Sequence, residues 1–94
     1  MADVILRPGF TPDEMRDIQR EVALTYRRTM RALAAGGASP HRQEIAAVDA
    51  AIDVYQQLAP DAPKDRLEAS RSVIPMISNA IRVNTRWFWE GPDA

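Results

Sequence analysis

Apolar residues recur along the first half of the chain at Met15, Ile18, Val22, Tyr26, Met30 and Leu33, three or four positions apart with charged residues between them. That interval brings the apolar side chains back to one face of an α-helix. The start is marked by Thr11 as a cap, Pro12 at the first helical position and Glu14 closing a capping box, with Phe10 and Met15 placed for a hydrophobic staple. Gly36-Gly37 ends the stretch. Ser39-Pro40 opens a second helix in the same way, followed by Ile45, Val48, Ile52, Tyr55 and Ala59 in a narrow seam, and Pro60 stops it. The pattern predicts helices over 12–35 and 40–58.

A third periodic segment follows the proline-rich link Pro60-Asp61-Ala62-Pro63-Lys64-Asp65, with Asp65 and Glu68 placed as a capping pair. It predicts helix over 64–90, ending at Gly91-Pro92. Pro75 stands inside it, and an interior proline removes a backbone hydrogen bond at a cost of roughly 3 kcal/mol. A kink, or a break with Ser72 capping a new helix, is expected at 71–75. No alternating strand pattern, repeat or low-complexity tract appears; Val4-Ile5-Leu6 suggests a short extended arm within 1–10. The fold class is therefore all-α: one domain over 1–94, a small antiparallel bundle of three long helices, the third kinked or broken near Pro75.

Composition narrows the functions available. The absence of cysteine removes disulfides, thiolate catalysis and cysteine-based zinc sites. Met1–Phe10 has no basic region and only a short apolar run, so no signal peptide is expected, and no stretch is apolar enough for a membrane span. A cytoplasmic protein follows by elimination. The net charge of −1 gives no global attraction to nucleic acid. Eleven of the twelve basic residues are arginine and fifteen residues are alanine, a pairing that a GC-rich genome supplies, so arginine abundance alone says little about phosphate binding.

The residues that could carry chemistry are few. His41 is the single histidine, and no glycine elbow, oxyanion loop or phosphate-binding loop accompanies it. Asp49 and Asp53 stand one turn apart, but a hard cation needs several more oxygen ligands, and a solvated face explains them better. Neither an enzyme nor a cofactor is expected. Arg16, Arg20, Arg27 and Arg31 fall within roughly a 60° arc of the first helix, a stripe that would suit a phosphate backbone. Asp13 sits in that arc with Asp17 and Glu21 on its border, and they would neutralise part of it, so nucleic-acid binding is the second reading.

Protein binding is the first. On the third segment Ile74, Ile77, Ile81 and Phe88 share one flank, and Met76, Ala80, Val83 and Trp87 form another. Together they span about half the circumference, wider than the ~100° stripe that one core requires. Trp89 points a third way, beside Arg82, with Arg86 close by. Tryptophan and arginine are the residue types that anchor interfaces. Trp87, Trp89, Arg82, Arg86, Val83 and Met76 are accordingly the candidate interface residues, and the surplus apolar width points to a homodimer.

The stretch Thr25-Tyr26-Arg27-Arg28, followed on the second helix by the run from Ala47 to Leu58, resembles the TraM-type antiactivators of quorum-sensing-controlled conjugation. The resemblance implies a small all-helical protein that binds and silences a transcription factor, and it transfers no functional residue. The expected function is that of a non-enzymatic helical regulator, inhibitor or assembly adaptor that acts on a protein partner.

Overall fold

The chain changes conformation where its prolines, glycines and capping side chains stand. The computed structural model describes residues 12–83 and Arg86, which form helix α1 (Pro12–Ala35), helix α2 (Pro40–Leu58) and helix α3 (Arg66–Val83). α1 ends in a Schellman turn: Ala38 N–H donates to the Leu33 carbonyl at 2.9 Å and Gly37 N–H to that of Ala34 at 3.0 Å. That turn requires a left-handed residue, and Gly37 supplies it at φ 85°. Ser39 Oγ accepts from the Arg42 N–H at 3.2 Å and caps α2. Asp65 Oδ2 accepts from the Glu68 N–H at 2.9 Å and caps α3. The N-terminal arm and the aromatic residues Trp87, Phe88 and Trp89 lie outside the described residues.

The three helices make a small all-α bundle in which α1 and α2 are the most intimately paired. Alanine is what permits this pairing. Ala47 and Ala51, one turn apart on α2, have no solvent exposure, and Ala23 on α1 is nearly as covered. Val22, Tyr26, Tyr55 and Val73 fill the space around them. Helices with small side chains at the contact pack with their axes closer together. The seam expected on α2 is corrected accordingly. Ala47, Ala51 and Tyr55 are buried, whereas Ile45 at its N-terminal end is 57% exposed.

α3 presents Ala69, Val73 and Ile77 to the core. Of the kink or break expected near Pro75, the break does not occur, because α3 is a single helix with Pro75 inside it, and no kink is established there. Pro75 and Arg71 are both exposed, so this turn of α3 lies on the solvent side of the helix. The flank shared by Ile74, Ile77 and Ile81 is not uniformly covered: Ile77 is buried, whereas Ile74 is 50% exposed and Leu67, one of the segment's periodic apolar residues, is 69% exposed.

Two polar ties hold the start of α3 against α2. Gln56 Nε2 donates to the carbonyls of Pro63 and Lys64, both at 3.0 Å, and folds the 59–65 link back on α2. The Arg66 guanidinium spans Asp53 Oδ1 at 2.6 Å and Asp49 Oδ1 at 2.5 Å, and also donates to the Asp49 carbonyl at 2.9 Å. These contacts fix where α3 starts.

The alanine contact leads to a stability prediction. Ala51→Leu adds bulk where there is no room, and overpacking a core typically costs about 1–3 kcal/mol. In a domain of this size each kcal/mol lowers the melting temperature by roughly 4–8 °C. Thermal unfolding followed by circular dichroism should show that loss, and an unchanged melting temperature would contradict the close α1–α2 contact.

Candidate functional site

The side of α2 that turns away from the alanine contact carries Ile45, Val48 and Ile52, and across from them α3 carries Ile74, Ile77 and Ile81. Between these two rows runs a groove of about 680 Å³, within the ~300–1,000 Å³ typical of ligand pockets. Ile52 and Ile77 are buried in its floor, whereas Ile45 and Ile74 stand half out of it on opposite walls. This arrangement follows from residue order on two helices. On each, the residues that meet the core lie about a quarter turn or more from the outer row, so a single neighbour cannot cover both rows.

The polar groups of the groove collect towards the start of α2, where Tyr26, His41 and Glu44 meet it, with Asp49 and Ser78 further along. Asp49 is already committed to Arg66. Both Asp49 and Asp53 bind that guanidinium and hold its pKa above the ordinary value, which accounts for their one-turn spacing. Among the described residues no group of three or more His, Cys, Asp or Glu side chains is placed to hold a metal ion. The Tyr26 phenol is pushed above its ordinary value near 10, first by burial and second by the negative charge of Glu44.

A second, smaller groove of about 500 Å³ lies between α1 and α3, with Arg16, Arg20 and Asn79 at its edges and Ala23, Met76 and Val83 along its floor. Of the expected interface residues, Met76 and Val83 line it. Met76 is partly buried against the core, Val83 is 67% exposed, and Arg82 and Arg86 are exposed, with Arg82 donating to Asn79 Oδ1 at 2.7 Å. Trp87 and Trp89, expected as anchors, are outside the described residues.

The arginine stripe of α1 is not continuous. Arg16 and Arg20 are exposed and Arg31 is partly so, but Arg27 has no solvent exposure. Arg16 is also paired with Asp13 at 2.8 Å. A helical wheel gives the direction in which Arg27 leaves α1, not what lies over it, which is why the sequence placed it among the exposed arginines. Ile45 and Ile74 went unrecognised as the two walls of one groove because each was assigned to its own helix's core stripe. The signal available was that Ile45 projects roughly opposite Ala47 on α2, so two separate apolar faces were present.

Among the described residues no helix is long and apolar enough to cross a membrane. The chain has no significant match among protein-family models, curated proteins or solved structures. The likeness of Thr25–Arg28 and Ala47–Leu58 to TraM-type antiactivators therefore remains a resemblance and supports nothing further.

The raised Tyr26 pKa has a defined consequence. The folded chain holds the phenol proton more tightly than the unfolded chain does, so the associated stability is fully present below pH 10 and is lost as pH rises through the raised value. Urea unfolding should therefore weaken above pH 10 more steeply in the parent chain than in Tyr26→Phe. Glu44→Gln should lower the phenol pKa seen by ultraviolet titration; an unchanged titration would show that Glu44 does not face Tyr26.

Proposed function

We propose that this chain works by binding another protein, as a regulator, inhibitor or assembly adaptor in the cytoplasm, with the α2–α3 groove as its principal contact surface. One observation carries the reading: Ile45 and Ile74, 57% and 50% exposed, face each other across an apolar groove whose floor is already packed. Isolated exposed aliphatic residues are ordinary on protein surfaces, but aliphatic walls on both sides of one groove form a contiguous patch of the kind that marks interaction sites. A catalytic reading has less support, since His41 and Glu44 are exposed at the groove's edge and no described contact joins them to Ser78 as a catalytic set.

Nucleic-acid binding along α1 is the weaker alternative, because burial of Arg27 interrupts the basic stripe. Self-association stays within the proposal as one form of protein binding. The exposed end of α3, with Arg82, Val83 and Arg86, is a second surface at which a partner would meet the chain.

The test is affinity capture with three versions of the chain. The parent should retain a partner that Ile74→Glu loses by at least about tenfold, on the order of 1.4 kcal/mol. Leu67→Glu, a change at an equally exposed aliphatic residue outside the groove, should retain it. Circular dichroism should show all three folded. Undiminished capture by Ile74→Glu, or equal loss by both variants, would contradict the groove as the contact surface.

A further inference from the structure

The groove has a polarity that its apolar floor conceals. Of the two acids that line it, Asp49 is held by Arg66 at 2.5 Å, whereas Glu44 forms no ion pair among the described residues and its charge reaches Tyr26. Among the described residues no lysine or arginine lines the groove, and its remaining polar residues are Tyr26, His41 and Ser78. One uncompensated carboxylate thus stands near the α2 N-terminal end of an otherwise aliphatic channel.

The walls constrain the occupant's backbone as well as its side chains. Both are α-helices, whose amides and carbonyls bond along their own axes, so the groove offers no free strand edge to which an extended peptide could add. A chain laid on this aliphatic floor must satisfy its own backbone hydrogen bonds, and a helix does so. From His41 to Ile52 the α2 wall runs for roughly 16 Å at the α-helical rise, enough to meet three turns of such a helix.

We propose that the α2–α3 groove receives an amphipathic α-helix of a partner protein whose apolar stripe is flanked by lysine or arginine, with Glu44 as the residue that selects the basic flank. The proposal rests on the reading of the groove as a protein-binding surface and adds the partner's chemistry to it. Ile45 and Ile74 grip the apolar stripe from either side. Glu44 pairs with a basic residue at one end and thereby sets the direction in which the helix lies. An acidic helix of equal apolarity meets Glu44 as a like charge and is rejected.

Two synthetic helical peptides of about 18 residues, long enough to hold a helix alone, provide the probes. They share a leucine stripe and differ only in having lysines or glutamates beside it. Titrated with the full chain and read by fluorescence anisotropy, the lysine peptide should bind at least about fivefold more tightly, and the gap should shrink with salt. Glu44→Lys should reverse the preference, and Glu44→Gln should fall between. Glu44 is exposed, and circular dichroism confirms that each variant is folded before it is compared. Equal affinity for the two peptides, or a preference untouched by Glu44→Lys, overturns the proposal. So does a dimer in sedimentation that Ile74→Glu dissociates, since the occupant is then a second copy. A chain that loses its captured partner through Ile74→Glu yet shows no charge preference sinks the basic helix and leaves the protein-binding reading standing.

Discussion

The close contact of α1 with α2 is the constraint on which the remaining structure depends. Ala47 and Ala51 have no exposure and share one core cluster with Val22 and Tyr26 on α1 and Tyr55 on α2. Two helices that share so small a seam bury most of each other's near side. They leave the larger aliphatic residues of α2, Ile45, Val48 and Ile52, on a flank of their own. That flank is where α3 has to settle. Ile52 and Ile77 are buried in the groove between the two helices, while Ile45 and Ile74 on its walls stay about half exposed. The open groove is a consequence of using alanine for the first contact and isoleucine for the second.

Polar contacts then decide where α3 lies. Gln56 holds the link by two carbonyls, and Arg66 straddles Asp49 and Asp53. These groups are exposed, so each ion pair adds little to stability. Their value is positional, since they set the register of α3 along α2 and hence which isoleucines face each other. Asp49 is thereby neutralised, Glu44 is left as the charge of the groove, and the core packing and the site electrostatics become two results of one arrangement.

The end of α1 and the starts of α2 and α3 were legible because single residues cause them. Ser39 and Asp65 are caps whose partners lie three positions on, and Gly37 is the left-handed residue that the end of α1 needs. The distribution of the apolar residues between core and surface was less legible. Alanine carries a weak hydrophobic signal, so Ala47 and Ala51 were passed over in favour of Ile45, although the small residues make the contact. Asp49 and Asp53 are on a solvated face as expected, but their partner Arg66 was not legible, because it is distant in sequence and is brought near only by the folded link. Arg27 was misplaced for a related reason: periodicity assigns a direction, while burial depends on what packs from outside the helix. Pro75 was judged by the cost of an unbonded carbonyl, and its exposed position reduces that cost.

The central claim is that the groove stands open in the free chain, with its two walls wet and its floor dry. Methyl NMR with a dissolved paramagnetic agent reads this most directly, because relaxation of each methyl group reports its access to solvent. The account predicts strong broadening of the Ile45 and Ile74 methyls and little for Ile77 and Val73, which are 4% and 0% exposed. Protection of Ile45 and Ile74 to the level of Ile77 would show the groove already filled, and would contradict the account.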